Sequence, residues 1–241
     1  MSDVLVEVAP DAEALASAVA ARFVVTVLDA QAARGSASIV LTGGRIAAKV
    51  LAAVGDLPAA RGIDWARVDL WWGDERFLPA GDPERNETQA RAALLDTLPL
   101  DPARVHPMAA SDGPDGADAE AAAARYAAEV GDAAFDVVML GVGEDGHVAS
   151  LFPGHPQAGA TGTAIAVHES PKPPPTRISL TMPAIQRADE VWLIASGDGK
   201  ADAVGAARHG GNVPAASATG RRRTLWLLDE AAASKLPAGL Y

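Results

Sequence analysis

The chain has no cysteine, which excludes disulfides, thiolate zinc sites and cysteine nucleophiles. It is also short of basic residues. Lys and Arg total 20 against 31 Asp and Glu, a formal net charge of −11. An acidic surface repels nucleic acid, and no basic run with interleaved aromatics offsets it, so no nucleic-acid partner is expected. The basic run Arg221-Arg222-Arg223 leads into an apolar stretch and is read as a solvated strand end. No apolar stretch approaches the roughly 20 residues needed to cross a bilayer, so no membrane partner is expected. The amino end, Met1-Ser2-Asp3-Val4-Leu5-Val6-Glu7, lacks both a basic start and an apolar signal core. A cytoplasmic location is expected. Repeats, long linkers and low-complexity tails are missing too.

What is present is a chain of 241 residues, 49% of them hydrophobic. That length and composition predict a single domain over 1–241 whose core needs no covalent staple. Strands are predicted at 4–8, 38–41, 68–72, 137–140, 162–167, 177–181, 190–195 and 224–228. Helices are predicted at 11–33, 45–54, 87–95, 117–130 and 200–207, with Asp11 as an N-cap. Several strands are near-continuous apolar runs, the pattern of a parallel sheet covered on both faces. Alternating elements with short connections predict a doubly wound α/β sandwich. If its ligand is an anion, so acidic a protein must build a local positive pocket against its own field. Basic residues at strand ends are therefore the ones to follow.

The most informative stretch is Leu140-Gly141-Val142-Gly143-Glu144-Asp145-Gly146-His147-Val148-Ala149-Ser150-Leu151-Phe152-Pro153-Gly154. It follows the apolar run Phe135-Asp136-Val137-Val138-Met139-Leu140. Its glycines turn the backbone at a strand's carboxyl end, where open α/β sheets place ligands. His147 on such a turn is placed to move a proton near neutral pH, with Asp145 beside it. Gly141, Gly143 and Gly146 also fit the dinucleotide pattern GxGxxG. However, Glu144 and Asp145 would face the pyrophosphate, and Pro153-Gly154 interrupts any long helix, so no nucleotide cofactor is expected. Thr42-Gly43-Gly44-Arg45 is a second strand-to-helix turn, open to an anion through its amides and the helix N-terminus. Gly73-Asp74-Glu75-Arg76 sets three charges at a strand end. Lys172 and Arg177 flank the stiff run Pro173-Pro174-Pro175. Lys200 falls in the first turn of a helix, where a cation opposes the macrodipole unless an anion binds. His106, His168 and His209 lie outside any motif, and His155 lies in the turn Gly154-His155-Pro156. No spacing of His, Asp and Glu suggests a metal site, so none is expected.

These blocks resemble, in order, those of the 6-phosphogluconolactonases. Residues 145–154 resemble the signature DGHxASLFPG. Residues 74–79 with 82–86 resemble DERxVP…DpxSN, Arg85 standing where serine is common. Residues 171–179 resemble PKPPxRxT, and 196–201 resemble SGxxKA. Thr42-Gly43-Gly44-Arg45 resembles a Ser-Gly-Gly-Ser/Thr loop, with Arg45 replacing the small hydroxyl residue. The resemblance spans about 38–201. It implies a three-layer α/β/α sandwich with a mostly parallel, Rossmann-like sheet, similar to glucosamine-6-phosphate deaminase and ribose-5-phosphate isomerase.

The resemblance also implies a phosphosugar lactone as substrate and its metal-free, cofactor-free hydrolysis. His147 would be the general base and Asp145 its orienting partner. Amides of the glycine turns, with Arg76, would stabilise the oxyanion. Asp74 would pair with Arg76 or accept a sugar hydroxyl. Lys172, Arg177 and Lys200 would grip the phosphate, with Gly43, Gly44 and Arg45 at its rim. Two other readings stay open. One is glucosamine-6-phosphate deaminase, whose DGH element typically continues Ile-Ala-Phe-Asn-Glu-Pro where this chain has Val148-Ala149-Ser150-Leu151-Phe152-Pro153. The other is a non-catalytic sugar-phosphate sensor. The oligomeric state is left open, and a monomer is compatible with the sequence.

Overall fold

A computed structural model describes residues 3–237. Strand β1 (Asp3–Ala9) leads into helix α1 (Ala12–Arg34), whose N-terminal amides are capped by the Asp11 carboxylate. Then follow β2 (Ala37–Leu41), α2 (Arg45–Asp56), β3 (Val68–Trp72), β4 (Asp74–Arg76) and α3 (Asn86–Ala93). After these come β5 (Val105–His106), α4 (Ala119–Val130), β6 (Val137–Gly141), β7 (Ala164–Val167) and β8 (Arg177–Leu180). The chain continues through α5 (Met182–Ile185), β9 (Glu190–Ala195), α6 (Ala201–Arg208), α7 (Pro214–Ser217), β10 (Arg223–Asp229) and α8 (Glu230–Ala233).

Seven strands form one parallel sheet in the order β1-β10-β9-β6-β2-β3-β5. Its burial pattern explains the apolar runs. Along β2, Ile39 and Leu41 pack with α1 and α2, while Val40 between them packs with α4 on the other face. Along β6, Val137 and Met139 enter the first core and Val138 and Leu140 the second. A strand with no wet face has few positions for a polar residue, and its buried polar residues here fall toward the strand ends. The result is the expected three-layer sandwich. From β2 the chain steps one way to β3 and β5, and β6 lies on its other side. The strand order reverses between these two neighbours, and such a point leaves a crevice at the strands' carboxyl ends.

The small strands depart from the sequence reading. The sequence pattern places residues 74–76 only at the end of the preceding strand and shows β7 and β8 only as strands flanking a loop. The three form a second, antiparallel sheet in the order β4-β8-β7, covering the face that carries α4. Asp74 there faces Ser179 in register, and Arg76 faces Arg177. The run Arg221-Arg222-Arg223 is only partly the solvated strand end expected. Arg222 and Arg223 both pair with Glu190, which is fully buried and also accepts from the Trp192 indole N–H at 2.9 Å. A carboxylate removed from water needs such partners.

Tyr126 of α4 fixes the end of β3. Its hydroxyl donates to the Trp72 carbonyl and accepts from the Trp72 amide, both at 2.9 Å. Burial pushes the phenol's pKa far above its usual value, so it stays a donor. Tyr126→Phe strands two buried backbone groups. It is expected to lower stability by about 1–3 kcal/mol, read as a shift of the denaturant midpoint at constant m-value.

Candidate active site

A cavity of about 580 Å³ opens beyond the ends of β2, β3, β6 and β9. Every site residue expected from the sequence lines it except Asp145, which reaches the site through His147. Six cationic side chains lie in its wall (Arg45, Lys49, Arg76, Lys172, Arg177 and Lys200) against one carboxylate, Asp74. Lys49 pairs with Glu13, and Arg177 lies 3.8 Å from Asp74. Among the described residues, the other four make no ion pair. In so acidic a chain, four cations without an ion pair converging on one cavity leave a local positive field.

His147 sits on the turn after β6. Its Nδ1 lies 2.5 Å from an Asp145 carboxylate oxygen, so the two side chains of this i, i+2 pair converge. The ring also packs against Phe152, 4.6 Å between centroids. Gly143 makes this possible, since a Cβ there would lie 2.0 Å from His147 Nδ1. Burial would raise the Asp145 pKa, but the hydrogen bond and charge of His147 outweigh it and hold the carboxyl below its usual value. An ionised carboxylate only accepts, so Nδ1 carries the imidazole proton and Nε2 the lone pair. Burial, assisted by the Lys172 charge, pushes the His147 pKa below 6.5 against the pull of Asp145. Near neutral pH the ring is therefore an unprotonated base held in one tautomer.

Of the glycine-turn amides expected to face an oxyanion, those of the turn after β6 are already engaged within the protein. The Gly143 amide donates to the His147 carbonyl at 2.9 Å and the Gly146 amide to the Gly143 carbonyl at 3.0 Å. Gly141 donates to Thr42 Oγ1 at 3.2 Å. The amides of Gly43 and Gly44 have no such partner among the described residues, and both glycines line the cavity. Gly43 is required for a different reason. A side chain there would meet the Asn86 amide, 1.8 Å from Oδ1 to the added Cβ.

Asn86 is the last residue of the block 82–86, to which the resemblance assigns no role. It turns out to join the site together. Its Oδ1 accepts from the Arg76 guanidinium at 2.7 Å, and its Nδ2 donates to the Asp74 carbonyl at 2.8 Å. Arg76 also donates to the Glu84 carbonyl. Asp74 does not pair with Arg76 as expected. Its carboxylate takes the buried Ser150 hydroxyl at 2.7 Å and faces Arg177. Beneath them Glu75 accepts from the amides of Arg76, Asn86 and Glu87, with Arg85 3.7 Å away. Burial raises the Glu75 pKa to about 7, against the pull of Arg85 and these amides.

Arg177 is less available than expected. Its Nη2 and Nε donate to the carbonyls of Lys172, Pro173 and Pro174, tying the proline loop to the cavity wall. Lys200 ends a single 3-10 turn, Asp198–Lys200, just before α6 instead of lying within the helix. Burial depresses its pKa, and Lys172 and Arg45 depress it further, opposed by Glu144 and Asp145. α2 and α6 both begin at the cavity without a side-chain cap, whereas α1 and α4 are capped by Asp11 and Asp118. The open N-terminus of α2 favours an anion there, whereas the start of α6 is continued backward by the Asp198–Lys200 turn, in which the Ala201 amide bonds the Asp198 carbonyl.

Fold and site together define an α/β protein with a cationic, histidine-bearing crevice at the switch point of a parallel sheet. The chain belongs to the family described as glucosamine-6-phosphate isomerases/6-phosphogluconolactonase, which matches residues 10–226. A 6-phosphogluconolactonase of Streptomyces coelicolor is 61% identical, the match covering 96% of this chain and 94% of that relative. The solved 6-phosphogluconolactonase of Trypanosoma brucei superposes with TM-score 0.82 at 25% identity, over 98% of this chain and 100% of that one. A monomeric glucosamine-6-phosphate deaminase shares the fold, with TM-score 0.81 at 21% identity over 96% of this chain and 99% of that one.

Proposed function

We propose that this site hydrolyses 6-phospho-D-glucono-1,5-lactone to 6-phospho-D-gluconate, the second step of the oxidative pentose phosphate pathway. The observation that carries the reading is the His147–Asp145 pair at the wall of a cavity whose other walls are cationic. His147 Nε2 takes a proton from water as the water oxygen attacks the lactone carbonyl carbon. The bond from that carbon to the ring oxygen then breaks. The imidazolium returns its proton to the departing oxygen, so the base is regenerated in each turnover. Asp145 holds the tautomer and stabilises the imidazolium. Arg76, fixed by Asn86, faces the oxyanion. Asp74 accepts a sugar hydroxyl. Lys172 and Lys200 hold the phosphate, with Arg45, the free face of Arg177 and the amides of Gly43 and Gly44 around it.

The test is a pH profile. The neutral imidazole is the active form, so kcat/KM is expected to be full above the His147 pKa and lost as pH falls through it. The midpoint is expected below 6.5. A limb rising toward acid would contradict the assignment. Ammonia released from glucosamine 6-phosphate would favour a deaminase instead.

A further inference from the structure

We infer that Asp229 is a positioning residue for the anion end of this site, acting on Lys200 through Ser196 and Gly197. The inference rests on the reading of Lys200 as a phosphate ligand. Asp229 is the last residue of β10, and Leu228 pairs in register with Ala195 at the end of β9. Its side chain thus lies beside the residues that follow β9, at the point where the chain turns over the cavity. It is 4% exposed. Among the described residues it has no cation within ion-pair distance.

Its negative charge is held by donors alone. The Ser196 hydroxyl donates to it at 2.5 Å. The Gly197 amide lies 3.0 Å from both carboxylate oxygens. The Ala232 amide donates to it at 2.8 Å. Hydrogen bonds to an ionised acceptor are stronger and more directional than neutral ones. Two of these three anchor the wall of the cavity, since Ser196 and Gly197 both line it. The Gly197 carbonyl in turn accepts from the Lys200 amide at 3.0 Å. One buried carboxylate thereby sets the start of the turn that carries Lys200, two hydrogen bonds away. The Gly197 amide is turned inward to Asp229, so the Lys200 ammonium, not that amide, serves the ligand on this side. Asp229 touches neither substrate nor reacting atoms.

Asp229 also caps α8 through Ala232, so its loss costs stability as well, and the variants must separate the two roles. Asp229→Ser keeps a capping oxygen for α8 but is too short to hold both Ser196 and Gly197. Ser196→Ala leaves the α8 cap intact. Both are measured for kcat and KM on 6-phosphogluconolactone and for kcat/KM on glucono-1,5-lactone, which lacks the phosphate. Lys200→Ala is run beside them. Asp229→Ser is expected to raise KM for the phosphorylated lactone about 10-fold and Ser196→Ala about 5-fold. In both, kcat stays within about twofold and turnover of the unphosphorylated lactone is unchanged. Equal losses on both lactones, or an unchanged KM in both variants, overturn the inference. Should Asp229→Ser fail to fold, Ser196→Ala decides alone. An unchanged KM in Lys200→Ala would instead remove the phosphate reading on which the inference rests.

Discussion

Replacing His147 with alanine is expected to lower kcat by about 10²–10⁴ while KM changes little. The variant removes the acceptor for the water proton and the donor for the departing ring oxygen. It leaves the cations that bind the phosphate in place. The ring lies at the cavity wall and contacts only Asp145 and Phe152 among the interactions described, so the fold should survive. Because the lactone hydrolyses on its own, residual activity must be compared with a rate without enzyme. Turnover near the wild-type rate would remove His147 from the mechanism. A selective rise in KM would make it a binding residue.

Gly143→Ala should fall almost as far without removing a reacting group. The added Cβ would lie 2.0 Å from Nδ1, 2.1 Å from Cε1 of His147 and 2.6 Å from the Asp145 carboxylate. Phe152 stands against the ring, so it cannot slide away at constant geometry. The ring must rotate out of its pair with Asp145, losing both the tautomer and the aim of Nε2. Gly143 has no positive φ among the backbone outliers, so alanine brings a clash without backbone strain. A loss of about 10²-fold in kcat is expected, with loss of the hydrogen-bonded Nδ1 proton resonance. Near-normal turnover with that resonance intact would mean that the ring tolerates the methyl group and that the pair is not the catalytic unit.

Much of this was legible in the sequence because four of the five candidate stretches follow an apolar strand. The strands of the large sheet are buried on both faces, so their runs stand out without alternation. Their carboxyl ends then had to fall at one edge of the sheet, where Thr42, Asp74, Gly141 and Ser196 gather. What could not be read depends on partners far away in sequence. β4 is three charged residues, and only its ladder with β8, about a hundred residues on, makes it a strand. The helices α5, α7 and α8 are four residues each, too short to show a period. Asp74 gained Ser150 and Arg177 as neighbours instead of Arg76 because the small sheet folds β8 across it. Asp229 carries no motif at all. Its place beside Ser196 follows only from the register of β9 and β10.

The most direct measurement is hydrolysis of freshly generated 6-phosphogluconolactone, followed with EDTA present and against a control without enzyme. The reading predicts a rate far above the spontaneous one, insensitive to the chelator and lost in His147→Ala. A rate no faster than the control, with the sugar phosphate still bound, would contradict catalysis and make this crevice a sugar-phosphate sensor.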